Sequence, residues 1–227
     1  MTMMNLYFHA TPNSMKVAVL LHELNLPFEV TPIDIFKGEQ HSPEFRAVNP
    51  NGKVPALVDD GVTVFDSHAI LLYLAEKYGR FIPTGLSRKA EMLSWLQLVA
   101  TGLSPYSGQA IHFLHYAPEA LPYAKNRYLK EVERTYEVLD KRLEISDWLA
   151  GDDYTVADMA LWGWAASASY IFGDKGLDDF PTVKRFMTTM SERPAVQKAL
   201  ALKAEYTCKA VLDEETRKAL FPQNTGH

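Results

Sequence analysis

Asn51-Gly52-Lys53-Val54-Pro55-Ala56-Leu57-Val58-Asp59, followed from residue 66 by Asp66-Ser67-His68-Ala69-Ile70-Leu71-Leu72-Tyr73-Leu74, is the stretch on which the reading of this chain turns. A proline lies between an apolar residue and an incipient strand, and an acidic residue with a serine then opens an amphipathic helix. Proline permits a cis peptide bond at modest cost. With Val54-Pro55 cis, the Val54 N–H and C=O face outward and can pair with an extended ligand as one more strand would. Asp66 and Ser67 place a carboxylate and a hydroxyl beside the unpaired N–H groups of a helix start, where a ligand carboxylate is also favoured. Such a site suits a small extended peptide that carries both an ammonium and a carboxylate.

Working outward, residues 5 to 79 mix strand and helix periods. Asn5 to Ala10 read as a strand, and Ser14 to Leu24 as a helix with Val17, Leu20, Leu21 and Leu24 on one face. Phe28 to Ile35 alternate again, and a short helix is expected over Pro43 to Val48. Ala56 to Asp59 and Val62 to Phe65 flank Asp60-Gly61, a strong hairpin signal. Ser67 to Lys77 form a helix with Ile70, Leu71, Leu74 and Tyr78 inward. The order β-α-β-α-β-β-α predicts an α/β thioredoxin-like domain over residues 1–79.

Residues 80–87 read as a linker, and residues 88–227 as an all-helical domain ending in a polar tail. Its helices are expected over Arg88 to Ser104, Pro122 to Ile145, Thr155 to Phe172, Pro181 to Glu192 and Pro194 to Glu205. Thr155-Val156-Ala157-Asp158 resembles a capping box with Asp in place of Glu, ahead of a very apolar helix. Trp148, Trp162 and Trp164 are expected in the helical core. The tail from Asp213 to His227 reads as a surface extension.

Composition narrows the function. The chain has 227 residues, 47% of them hydrophobic, enough for a substantial core. A net charge of −5 argues against nucleic acid as main partner, because phosphate neutralisation needs a basic face. No apolar run is long enough to span a membrane and no basic-then-apolar leader opens the chain, so a cytoplasmic location is expected. The single cysteine, Cys208, leaves no dithiol pair and no multi-cysteine metal site, so thiol chemistry must borrow its sulfur. His112 and His115 share a helical spacing that can bind metal, but no carboxylate or cysteine nearby in sequence completes a shell, and no metal is expected.

With the apolar-Pro turn, the acidic-Ser helix start and Thr-Val-Ala-Asp in a helical second half, the chain from about Asn5 to Lys203 resembles the cytosolic glutathione transferase superfamily. Thr11-Pro12-Asn13, Lys37-Gly38-Glu39-Gln40, the Gly108-Gln109-x-x-His112-Phe113 segment and Pro122-Tyr123-Ala124-x-x-Arg127-Tyr128 resemble the bacterial nu class in particular, related to the fungal nitrogen-regulator prion protein.

The resemblance implies a homodimer that binds glutathione or its disulfide and reduces disulfides, with weaker conjugation of electrophiles. It implies Thr11 and Asn13 beside the glutathione sulfur, Gln40 and Lys53 near the glycyl end, and the Val54 main chain before Pro55 on the cysteinyl unit. Asp66 and Ser67 would hold the γ-glutamyl group, and Arg127 would reach in from the other subunit. Three positions depart from the pattern: Ser14 replaces a usual glycine, Asp66 a usual glutamate, and His68 a small residue.

Asn13 and Thr11 at a helix start are suitable groups for lowering a thiol pKa. Tyr7 is the competing activator, since other classes use a tyrosine on this strand; here half-buried packing is the expected role. Gln109, His112, Phe113 and Tyr116 are candidate walls of a second-substrate pocket. Two rival functions stay open: glutathione-dependent cleavage of an ether or conjugation of an aromatic electrophile, and a non-catalytic glutathione-binding regulatory module.

Overall fold

The computed structural model describes residues 3–206 and 213–224. Cys208 lies outside the described residues. Two compact units are present: one runs through Tyr73 and takes back the chain from Lys198 onward, and the other is Leu74–Gln197. The described residues 198–206 and 213–224 therefore group with the N-terminal unit.

In the first unit, β1 (Met4–Phe8), α1 (Pro12–Glu23), β2 (Phe28–Pro32), α2 (Pro43–Val48), β3 (Ala56–Asp59) and β4 (Val62–Phe65) follow in the expected order, and α3 (Ser67–Tyr78) begins there. The sheet runs β2-β1-β3-β4. β1 pairs with β2 in parallel and with β3 antiparallel, and β3 pairs antiparallel with β4. The turn between β3 and β4 uses Asp60 at φ 51° and Gly61 at φ 84°, the two left-handed residues a tight hairpin requires.

α1 starts where Thr11 caps Ser14 N and Pro12 takes the first turn, a position at which the missing N–H costs nothing. Its face of Val17, Leu20, Leu21 and Leu24 is buried as the spacing demands. On α3, Ile70, Leu71 and Leu74 are buried, but Tyr78 is 38% exposed. Tyr78 is the last residue of the helix, beyond the turn that packs inward.

The second unit contains α4 (Leu86–Leu98), α5 (Ser104–Ile111), α6 (Pro122–Glu144), α7 (Val156–Ala165), α8 (Ala168–Phe172) and α9 (Pro181–Ser191). The helix expected to stop at Ser104 continues instead, through π-helical turns at Val99–Leu103 and His112–Tyr116. The single helix expected over Thr155 to Phe172 is broken at residues 166–167. α7 is buried along its whole length. The capping box at its start is present: Asp158 accepts from Thr155 N (2.8 Å), Thr155 Oγ1 (3.1 Å) and Leu149 N (2.8 Å). Burial nevertheless pushes the Asp158 carboxyl up to about 6. Trp162 and Trp164 are buried in the core, and half-buried Trp148 packs on Tyr154 and Phe186.

α10 (Pro194–Glu205) leads to the first unit's C-terminal part, in which Glu214–Leu220 forms α11. The tail is thus more than a surface extension. α11 packs against the 3₁₀ turn Ile35–Lys37, and Gln40 Nε2 and His41 Nε2 both lie about 3 Å from Ala219 O.

Candidate functional site

The sheet register assembles the first unit's site. Tyr7 lies opposite Ala56, and Ala56 opposite Phe65. The segments that follow β1, precede β3 and follow β4 therefore leave the same end of the sheet. Those segments carry Thr11 and Asn13, Val54 and Pro55, and Asp66 and Ser67. The Val54-Pro55 bond is cis. The β1–β3 ladder ends at Ala56, so the Val54 main chain lies just past the last paired residue, where an added strand would continue the sheet. The Val54 side chain packs with Ile33, Phe45 and Ala56.

Asp66 stands at φ 72°, a left-handed conformation that costs a non-glycine residue on the order of 1 kcal/mol. Aspartate is among the residues that best tolerate it. Asp66 Oδ1 accepts His68 N at 2.9 Å and Ala69 N at 3.2 Å, capping α3, and the side chain remains 64% exposed. Ser67 is buried beside it.

At the start of α1, Thr11 Oγ1 accepts from Ser14 N (3.2 Å) and lies 3.1 Å from the Ser14 hydroxyl. Half-buried Asn13 accepts through Oδ1 from Lys16 Nζ at 2.8 Å. Lys16 itself is fully buried, and its Nζ lies 3.4 Å from His68 Nε2. Burial pulls the Lys16 ammonium down to about 7, against a smaller opposing pull from Asp66. Burial, reinforced by Lys16, holds His68 at about 3. The imidazole is therefore neutral, and its 3.8 Å approach to Asp66 is a polar contact and not an ion pair.

The 49–53 turn rests on Asn49, which is 1% exposed. Its amide donates to Lys53 O, and its Oδ1 accepts from Asn51 N. Gly52 stands at φ 63°, and a Cβ there would lie 3.0 Å from Gln40 O, so glycine is required on both counts. Lys53 is exposed. Gln40 is buried with Nε2 on Ala219 O, while its Oε1 is buried without a hydrogen-bond partner. Half-buried Tyr7 packs its ring on Phe45 at 5.7 Å.

The other candidates lie in the second unit. Gln109 is exposed on α5, and His112, Phe113 and Tyr116 are half-buried in the π-helical turn after it. Phe113 stacks on Tyr128 at 5.4 Å. Burial lowers the His112 pKa, and burial with a hydrogen bond to Tyr170 raises that of Tyr116. Arg127, half-exposed on α6, pairs with Glu131 at 2.6 Å. His115 Nε2 lies 2.7 Å from Tyr170 O and its ring stacks on Tyr170. Among the described residues, no cluster of His, Cys, Asp and Glu could hold a metal, and no helix is long and apolar enough to cross a membrane.

Lys16, Asn49 and the His41–α11 contact were missed in the sequence. Asn49 carried a signal in Asn-Pro-Asn-Gly, a turn-forming run in which an Asn side chain bonds the main chain two residues on. Lys16 carried none, since a lysine between apolar helix positions reads as a solvated charge.

Comparison with known proteins places the chain in a class. The models of the glutathione S-transferase N-terminal and C-terminal domains match residues 10–77 and 100–194, and the chain belongs to the glutathione S-transferase family. It is 43% identical over 210 residues, covering 89% of this chain and 96% of the relative, to the disulfide-bond oxidoreductase YfcG of Escherichia coli. Among solved structures it is similar to a glutathione transferase from Burkholderia graminis with two glutathione molecules bound per subunit (35% identity, TM-score 0.82, 87% of each chain). It is also similar to glutathione transferase URE2P6 from Phanerochaete chrysosporium in complex with oxidized glutathione (36% identity, TM-score 0.84, 90% of this chain and 97% of that one).

The buried lysine sets a pH dependence. Unfolded, Lys16 keeps its proton to about 10.5; folded, it loses it at about 7. Between those values the unfolded chain binds more protons, so stability rises with pH across the window. At about 1.4 kcal/mol per pKa unit, wild type should gain a few kcal/mol relative to Lys16→Met between pH 7 and 10. Urea unfolding midpoints of the two proteins at those pH values check this, and parallel curves would contradict it.

Proposed function

We propose that the chain is a nu-type glutathione transferase acting as a homodimer in the cytoplasm, and that its main reaction is glutathione-dependent disulfide reduction. The observation that carries the reading is the meeting of Asn13, Val54-Pro55 and Asp66-Ser67 at one sheet end in a chain with a single cysteine. That sheet end suits one extended peptide, and the sequence offers no dithiol.

In this reading Asp66 pairs with the γ-glutamyl ammonium beside Ser67, the Val54 main chain pairs with the cysteinyl unit, and Lys53 with Gln40 flanks the glycyl end. Gln40 acts there chiefly by fixing its loop to α11, since its amide NH₂ is engaged by Ala219 O. Asn13 and Thr11 lie beside the sulfur, Asn13 as hydrogen-bond donor to the thiolate. Gln109, His112, Phe113 and Tyr116 line the second-substrate pocket, and Arg127 serves the partner subunit's site.

The reaction balances without an enzyme thiol. A bound glutathione thiolate attacks one sulfur of the disulfide, forms a mixed disulfide and expels the other sulfur as a thiolate. A second glutathione thiolate attacks the glutathione sulfur of the mixed disulfide, giving glutathione disulfide and releasing the second substrate thiolate. Solvent protonates both products. The 43% identity to a disulfide-bond oxidoreductase of Escherichia coli and the two glutathione molecules in the Burkholderia structure support this reading.

The test is a comparison of rates. With glutathione supplied, the protein should reduce a small model disulfide faster than it conjugates a chlorinated nitroaromatic, and Cys208→Ser should do so equally well. Arg127→Ala should impair reduction more than conjugation, because only reduction needs a second glutathione, whose carboxylate an arginine can pair with. Strong conjugation without reduction would replace this reading with the electrophile-directed one.

A further inference from the structure

A lysine is buried directly behind Asn13. Lys16 is fully enclosed on α1, with Nζ 2.8 Å from Asn13 Oδ1 and 3.4 Å from His68 Nε2. An ammonium has only donors. The Asn13 atom facing it is therefore the amide oxygen, and the Asn13 NH₂ group is directed elsewhere. A neutral imidazole accepts at one nitrogen alone. With Nε2 receiving the lysine, the ring proton sits on Nδ1, the atom 3.8 Å from Asp66 Oδ1. His68 and, at longer range, Asp66, both from the start of α3, are titratable groups that act on the lysine. Asn13 is the neutral acceptor on its own helix.

We propose that Lys16 is the positioning residue of the sulfur site: it fixes the Asn13 amide with its NH₂ toward the bound thiol and places a positive charge behind it that favours the thiolate, while His68 holds the lysine as its acceptor. The inference rests on the reading of Asn13 as facing the sulfur. His68 gives it a basis peculiar to this chain, because a small residue at that position would offer Lys16 no acceptor. The chemistry is one ionisation: glutathione loses its thiol proton to solvent, and the lysine keeps its own. Coupling runs both ways, so a thiolate nearby raises the lysine pKa and opposes the effect of burial.

The experiment is a titration of bound glutathione, followed by the ultraviolet absorbance of the thiolate, in wild type, Lys16→Met and His68→Ala. Calorimetric binding of S-methylglutathione, which has no thiol, runs alongside. Wild type should hold the thiol below its free value of about 8.5. Lys16→Met should raise that bound value by about one unit or more, about a tenfold loss of thiolate at neutral pH, with S-methylglutathione affinity within about threefold of wild type. His68→Ala should move the thiol the same way by a smaller amount, and it decides the matter if Lys16→Met does not fold. A lowered wild-type thiol pKa that neither variant shifts would overturn the role of Lys16 alone. A wild-type bound thiol that titrates like free glutathione would overturn the sulfur-facing reading of Asn13, and the inference with it.

Discussion

Asn13→Ala should lower turnover in glutathione-dependent disulfide reduction by about 10- to 1,000-fold, the range seen when one preorganised donor to a developing or resident anion is removed. The carboxamide NH₂ is a side-chain donor at the α1 start, since the atom that Lys16 engages is the amide oxygen. The substitution also deprives buried Lys16 of an acceptor. It is therefore not silent in stability, as a purely solvent-facing position would be, and a cost of about 1–3 kcal/mol is expected. Unfolding midpoints measured beside the rates separate the two effects, with turnover taken where the variant is fully folded. Tyr7→Phe should lose far less, because the Tyr7 ring is engaged in packing on Phe45. The opposite ranking would assign thiol activation to Tyr7.

The second large effect is on binding. Asp66→Ala should weaken glutathione affinity about 10- to 100-fold, from loss of a charge-assisted contact of roughly 1.5–3 kcal/mol. Alanine also loses the two main-chain bonds to Oδ1 and suits φ 72° poorly, so the variant should be less stable as well. Asp66→Asn resolves the ambiguity. Asparagine tolerates the left-handed conformation and can cap through its own oxygen, yet it carries no charge. Asp66→Asn should therefore match wild type in unfolding midpoint and approach Asp66→Ala in glutathione dissociation constant. A wild-type constant for Asp66→Asn would make Asp66 a helix cap and nothing more.

Legibility differed between the two units. Around Thr11, Asp60-Gly61 and Thr155–Asp158 the bonds that define structure close within three residues or so, and residue type alone was enough to place caps and turns. The helical unit was harder. Its apolar stripes were visible, but nothing local marks the π-helical turns at Val99–Leu103 and His112–Tyr116 or the break after Ala165. Local residue type does not encode such changes of helical pitch. The tail misled for the same reason, since Glu214–Leu220 reads as polar and is held by a carbonyl contact to Gln40 and His41.

By itself the sequence determined the strand and helix order of the first unit, the hairpin and the residues that open α1 and α3, because backbone dihedrals and capping bonds are satisfied by near neighbours. Tertiary structure alone decided which of those residues share a site and what stands behind them. Lys16 meets His68 across 52 residues, and Gln40 meets Ala219 across 179. A lysine between apolar helix positions carries no mark of burial in the sequence. It is desolvated only in the fold, where the chain supplies it with a carboxamide oxygen and an imidazole nitrogen in place of water.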